Sequence, residues 1–243
     1  MSLFDFQRGE KWHLAMTHPD DEISIAAFAR RLCQGGAEVS MSWTHSNPVR
    51  EEEAYAAAAK IGVPRERCFV FGAPDGDVVD HLLPLSDRFA EMFATVRPDR
   101  VVCGAFEQGH LDHDATNFLV NRCFEGKVLE VPFYHAYLRS YMRINRFADP
   151  AGQEVIELSP DEVEWKKAFA KGYPSQRIWW NLWWYEAWEV LRFRRPELAK
   201  TERMRVQVHR DFRSPNLPPE LAERVKRTPK WRRWVAALDA LDR

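Results

Sequence analysis

The sequence offers little material for covalent cross-linking. Its four cysteines, Cys33, Cys68, Cys103 and Cys123, are scattered and never form a CxxC pair. Three sit in apolar surroundings, which argues for reduced, buried thiols in a cytosol and against a disulfide framework or a zinc knuckle. No uninterrupted apolar run approaches the ~18 residues of a membrane-spanning helix, and no basic stretch leading into an apolar segment opens the chain. A cytoplasmic, non-spanning protein is the expectation. No repeat of fixed period is visible, so a repeat architecture is excluded. An overall charge excess is also missing, with 35 Lys and Arg against 36 Asp and Glu, and no nucleic-acid partner is expected. The charge is uneven, however: residues 192–243 hold fifteen Lys/Arg against seven Asp/Glu. Such a tail can meet phosphates or an anionic membrane, but acids interleaved along it favour a solvated helical face.

What is present is ordinary globular material: 243 residues, 45% hydrophobic and 29% charged, enough for one sizeable core or a domain with a helical appendage. Strand-like apolar runs at Trp12–Met16, Val39–Trp43, Cys68–Phe71, Val101–Ala105 and Val128–Phe133 alternate with helical spacing over Ile23–Leu32, Glu51–Ile61, Asp87–Val96 and Ala115–Phe124. Alternation at this pace predicts βαβ units: an α/β fold with a Rossmann-like, mostly parallel sheet flanked by helices. Residues 1–145 read as this core. Residues 146–243 read as a helical extension packed on the same domain, with a turn at Asp149-Pro150-Ala151-Gly152, a helix starting at Ser159-Pro160-Asp161-Glu162 and running through Lys171, and an aromatic helix over Ile178–Trp188.

The chemistry is concentrated in two short clusters. His18-Pro19-Asp20-Asp21-Glu22 follows the first strand directly, and Gly109-His110-Leu111-Asp112-His113 follows the fourth and leads into a helix. Open α/β sheets put their chemistry at the carboxyl ends of strands, and so many acids gathered there need a cation to compensate them. Parallel strands bring both clusters to one side of the sheet. His18, one carboxylate of Asp20 or Asp21 and a histidine of the second cluster can then converge on one ion. Two imidazoles and a carboxylate with an open position make a zinc set of the catalytic type. Magnesium or calcium would not need the imidazoles, whereas iron or cobalt would accept them.

His-Pro-Asp-Asp-Glu early and Gly-His-x-Asp-His later resemble the PIG-L/LmbE family of zinc-dependent N-deacetylases. Arg50, Glu53, Ala57 and Ile61-Gly62 are similar to the family's Arg/Glu/Ala/Leu-Gly helix, Pro74-Asp75-Gly76 to its Pro-Asp-Gly loop, and Arg97-Pro98-Asp99 to its pre-strand signature. Lys167 with Tyr173-Pro174-Ser175-Gln176 is similar to a late Lys…Tyr-x-Ser-Gln element. The resemblance covers roughly residues 10–177. It departs at Leu111, where the family usually has proline, at Ile25-Ala26-Ala27, which replaces a glycine pair, and at Thr44-His45-Ser46, which replaces Thr-x-Gly. None of these touches the metal set; they bear on the acceptor pocket.

The resemblance implies His18, Asp21 and His113 as metal ligands and Asp20 as the general base that takes a proton from the attacking water. It implies His110 as oxyanion stabiliser or acid for the leaving amine, its ring oriented by Asp112. Glu22 is expected only to favour the first helical turn through the dipole. Arg50 and Asp75 are implied near the substrate, although a structural ion pair is an equal reading for Arg50. His45, Asp77 and His81 read as loop polar residues or substrate contacts. The tryptophan helix has three readings: a face packed on the core or a dimer partner, a lid offering flat rings to a sugar or lipid-linked acceptor, or an interfacial membrane helix beside Arg192, Arg194 and Arg195.

The resemblance implies a metal-dependent hydrolase that removes the N-acetyl group from an N-acetylglucosamine-type amino sugar or its conjugate, with zinc or another divalent transition metal. The alternatives are an amidase on another small acyl-amide and a non-catalytic sugar- or membrane-binding homologue. Peripheral membrane contact and self-association stay open.

Overall fold

The computed structural model describes residues 2–135, 137–138 and 143–242. Five parallel strands form its centre: β1 (Lys11–Met16), β2 (Glu38–His45), β3 (Cys68–Ala73), β4 (Arg100–Gly104) and β5 (Lys127–Val131). Each of the first four is followed by a crossover helix, in order α1 (Ala26–Gln34), α2 (Pro48–Ile61), α3 (Leu82–Val96) and α4 (Leu111–Cys123). The apolar runs become strands because a central parallel strand is buried on both faces. In β1, Trp12, Leu14 and Met16 pack one way with α1, while Ala15 joins the opposite core that contains Phe89, Leu119 and Trp234. His13 lies fully buried between them as a neutral ring, bonded to Ser40 Oγ at 2.8 Å and Ser42 Oγ at 2.9 Å.

The helical extension expected after residue 146 requires a correction. Two strands, β6 (Gln153–Glu157) and β7 (Thr201–Val206), complete a seven-stranded sheet of order β3-β2-β1-β4-β5-β7-β6. Strand β7 runs antiparallel to both neighbours. Its sequence, TERMRV, conceals a strand because its charges are neutralised inside. Glu202 accepts from Lys166 Nζ at 2.7 Å and from the Ala27 and Phe28 amides at 2.9 and 2.8 Å, so it caps the start of α1. Arg205 pairs with Glu130 at 2.8 Å and Glu107 at 2.9 Å. The helices expected here are present as α5 (Pro160–Ala170), with a full capping box from Ser159 and Glu162, and α6 (Ile178–Leu191). Beyond them lie α7 (Pro219–Lys226) and α8 (Pro229–Leu241). Much of the basic tail is paired internally, as with Arg213 against Asp239 and Asp242. The cysteines are free, and only Cys103 is fully buried. Among the described residues no helix is long and apolar enough to cross a membrane.

Candidate metal centre

In the sheet order, β1 and β4 are neighbours although β2 and β3 intervene in sequence. The chain winds one way from β1 and the other way from β4, and the crevice at such a switch point is where open α/β sheets bind ligands. Both clusters leave the sheet here. The first enters a short 3-10 turn, Asp21–Ser24. The second reaches α4, which starts earlier than the apolar spacing predicts, so His110 is its N-cap and Asp112 and His113 occupy its first turn.

His18 Nδ1 lies 3.1 Å from His113 Nε2 and 3.6 Å from Asp21 Oδ2, and His113 Nε2 lies 3.3 Å from Asp21 Oδ1. Ligand atoms of a tetrahedral zinc stand about 3.3 Å apart, given bonds of ~2.0–2.1 Å. Tautomer and charge fit the same use. His18 Nε2 faces the carboxylates of Asp112 at 3.4 Å and Asp75 at 3.3 Å, which directs its proton there and leaves a lone pair on Nδ1. Two ring nitrogens at 3.1 Å require a proton or a cation between them. Burial opposes a charge on His18, but the Asp112, Asp21 and Asp75 carboxylates outweigh it and raise its pKa well above the usual imidazole value. A cation would take that proton's place. Burial likewise opposes ionisation of Asp21, yet the facing His113 and His18 rings hold it well below the usual carboxylate range. Asp21 Oδ2 is occupied by the Thr17 and His18 amides, at 3.2 and 2.8 Å, and this orients Oδ1 toward His113. His18, Asp21 and His113 are all buried and together could hold a metal; His18, His110 and Asp112 form a second such group. The first is the better cage, because the Asp112 oxygens are already engaged by the Gly76 and Val78 amides at 2.7 and 3.2 Å.

Asp20 sits beside this set with φ +120°, an expensive conformation for a non-glycine residue. Two residues, Arg50 and Glu22, hold it there. Arg50 donates to the Pro19 carbonyl at 2.7 Å and reaches Asp20 Oδ1 at 3.4 Å, and the Asp20 amide donates to Glu22 Oε2 at 3.0 Å. Burial and the neighbouring Asp21 charge raise the Asp20 pKa well above the ordinary carboxylate value, against the pull of Arg50. Glu22 therefore does more than favour a helical turn. It is fully buried, and it also accepts from Tyr173 Oη at 2.7 Å and Trp43 Nε1 at 3.3 Å. Burial pushes its carboxyl up to about 7 despite these donors.

The expected orientation of His110 by the Asp112 carboxylate also needs correcting. That carboxylate stands 4.0 Å from His110 Nδ1. The ring is set instead by accepting the Asp112 amide on Nδ1 at 3.3 Å, which places its proton on Nε2. Burial lowers the His110 pKa to about 4, so the ring is a neutral donor. Asp112 ties α4 to the loop that carries Asp75, and Arg233 of α8 fastens the same loop through the Gly76 carbonyl at 3.0 Å and the Asp77 and Asp80 carboxylates, both at 2.5 Å. Asp75 itself is largely exposed at the site, where His18 holds its carboxyl well below the usual range.

A cavity of about 710 Å³ opens over the centre, and His18, Asp20, Asp21, Arg50, Asp75 and His110 form its floor. Trp179, Leu182 and Trp183 of α6 form its wall, so the tryptophan helix lies beside the site. Asp77 and His81 are exposed and lie outside the cavity lining. His45 is buried, not exposed, with Nδ1 bonded to the Ala73 carbonyl at 2.8 Å and Nε2 unpartnered. Sequence reading missed Tyr173 as the partner of Glu22, and Ser175, whose amide and hydroxyl bond Glu53 at 2.8 and 2.6 Å. The late Tyr-x-Ser-Gln element was the signal for both.

Residues 14–124 match the model of the family described as PIG-L: GlcNAc-PI de-N-acetylase. Among solved structures the chain is similar to a deacetylase triple mutant of the teicoplanin biosynthetic pathway, at 18% identity over 83% of this chain and 99% of that one, with a TM-score of 0.62. It is similar to the zinc-inhibited form of teicoplanin deacetylase Orf2 at 17% identity over 82% and 99%, TM-score 0.58. It also resembles the N,N'-diacetylchitobiose deacetylase of Pyrococcus horikoshii at 15% identity over 81% and 84%, TM-score 0.55. These likenesses speak for the fold. No curated protein matches the chain.

Proposed function

We propose, for a chain whose residues 14–124 match the PIG-L: GlcNAc-PI de-N-acetylase family model, the hydrolysis of the N-acetyl group of an N-acetylglucosamine-type amino sugar or its conjugate. The observation that carries this reading is the convergence of His18 Nδ1, Asp21 Oδ1 and His113 Nε2 beside Asp20 at the floor of the cavity. These three residues would hold a divalent transition metal, zinc by preference for its two imidazoles and one carboxylate. When bound, such an ion supplies Lewis acidity and makes water a nucleophile near neutral pH.

The protein's own groups account for the remaining steps. Asp20 takes the proton of the attacking water. His110 donates from Nε2 to the oxygen that gains charge as the acetyl carbonyl becomes tetrahedral. The proton held on Asp20 then passes to the departing amine, leaving acetate and a free amino sugar. Arg50 keeps Asp20 in position through the Pro19 carbonyl, and Asp75 offers an exposed carboxylate to sugar hydroxyls.

The test is acetate release from free, nucleotide-linked, thiol-linked and lipid-linked N-acetylglucosamines, with and without chelator. Asp20→Asn should keep its metal and lose at least ~100-fold in rate, while His18→Ala and His113→Ala should lose stoichiometric metal. A chelated protein that works at full rate, or an Asp20→Asn protein that does, sinks the reading.

A further inference from the structure

Helix α6 is inside out. Its two acids turn away from solvent: Glu189 is buried and pairs with Arg194 at 3.2 Å, and Glu186 accepts the Leu198 amide at 3.0 Å. Ile178, Trp179 and Leu182 pack on the core. The outward face is apolar apart from the exposed Asn181. Trp180, Trp184, Trp188 and Leu191 follow one line along the helix, Trp183 and Val190 lie beside it, and all six are exposed, Trp184 by 63% and Leu191 by 72%. Just past the helix end Phe193 is 100% exposed at φ +58°. A contiguous apolar face of this kind on an otherwise ordinary surface marks a place where something docks.

We infer that this face of α6 docks on an anionic lipid surface, lying in the interface without crossing it. Two features select the occupant. Tryptophan dominates the face, and its ring, apolar with one polar N–H, is the side chain that settles at the headgroup level. Exposed arginines mark both ends, Arg177 before the helix and Arg192 and Arg195 after it, with no acid on the outward face between them. Anionic headgroups would neutralise both ends at once. A second copy of the chain fits worse. Antiparallel pairing of two α6 faces sets Arg177 of each copy against Arg192 and Arg195 of the other, and parallel pairing sets like against like, so either way positive meets positive. Trp183 also lines the cavity, so the docked face continues into the wall of the site. The docking is independent of the hydrolytic reading.

The test is co-sedimentation of the full chain with vesicles of phosphatidylcholine alone and of phosphatidylcholine mixed with phosphatidylglycerol, at low and high salt. Partitioning should be stronger on the anionic vesicles by about fivefold for each arginine engaged, and salt should erase that difference. The pair Trp184→Glu with Leu191→Glu, both outside the cavity lining, should partition at least ~10-fold more weakly on either composition. If that pair melts early, Trp184→Ser with Phe193→Ser replaces it. A wild-type protein that stays in the supernatant with both compositions overturns the inference. So does a folded variant that sediments like wild type. Light scattering that finds a wild-type dimer, with a monomeric glutamate variant and no vesicle binding, assigns the face to a second copy instead.

Discussion

Tyr173→Phe removes one oxygen and tests the link between the late and early motifs. In the native protein the Tyr173 hydroxyl donates to Glu22 Oε1 at 2.7 Å, with Tyr173 1% exposed and Glu22 0%. Above pH ~7, where the Glu22 carboxyl is ionised, a hydrogen bond to a charged group contributes ~1.5–3 kcal/mol, and an oxygen left buried without a donor bears the full desolvation cost. Glu22 keeps the Asp20 amide and the Trp43 indole on its other oxygen, so the loss should be about 2 kcal/mol and not the whole site. For a chain of this length that is roughly 4–8 °C in Tm. Urea unfolding followed by circular dichroism reads it directly. In a Glu22→Gln background the same change breaks a neutral bond and should cost about 1 kcal/mol, which leaves a coupling near 1 kcal/mol in the double-mutant cycle. Acetyl hydrolysis should stay close to the wild-type rate, since the Asp20 amide keeps its acceptor. A Tyr173→Phe protein as stable as wild type refutes the reasoning, and so does a collapse in rate without a loss of stability.

Three further changes probe the frame. Lys166→Met strips the buried Glu202 of its ammonium at 2.7 Å while the Ala27 and Phe28 amides stay; a loss of ~3 kcal/mol is expected in urea unfolding, the low end for breaking a buried pair. Gly109→Ala would drive a methyl into the Tyr134 carbonyl, so unfolding stability should fall by ~2 kcal/mol or more, with the rate of acetyl hydrolysis falling too because His110 follows directly. The Glu162 carboxyl is held down to about 2 by its bond to Arg31. A lowered carboxyl stabilises the fold fully above its unfolded value, about 4.5, and the stabilisation is lost as pH falls through that window toward about 2. Solvent screening holds the effect to about 1 kcal/mol. Unfolding curves of Glu162→Gln and wild type should converge at the acid end; a constant gap across the window would contradict this.

How legible each part was follows from where its causes lie along the chain. Strands β1 to β5 could be read because a strand buried on both faces is a plain apolar run. Strand β7 could not, since Glu202 and Arg205 look like surface charges until their partners, Lys166, Glu130 and Glu107, arrive from other elements. The expected ligands sit in two short clusters at strand ends, and reading their convergence needs only that β1 and β4 run parallel. The role of Glu22 depends on Tyr173, more than a hundred residues away, and the ring of His110 is set by a backbone amide that leaves no mark in composition. The apolar spacing of α6 is equally strong all round the helix, so periodicity could not say that the tryptophans face outward.

Strand β7 has a consequence for the order in which the protein is made. Its slot lies between β5 and β6, so the earlier-synthesised β6 has no neighbour on the sheet until residues 201–206 leave the ribosome. The same arrival brings Glu202 to the start of α1, directly after the Asp20 turn. Closure over so long a separation is slow and comes late. A nascent chain stopped near residue 145 would hold both histidine clusters beside an open sheet edge and an uncapped α1, which makes it a substrate for chaperones and proteases and not a working half-enzyme.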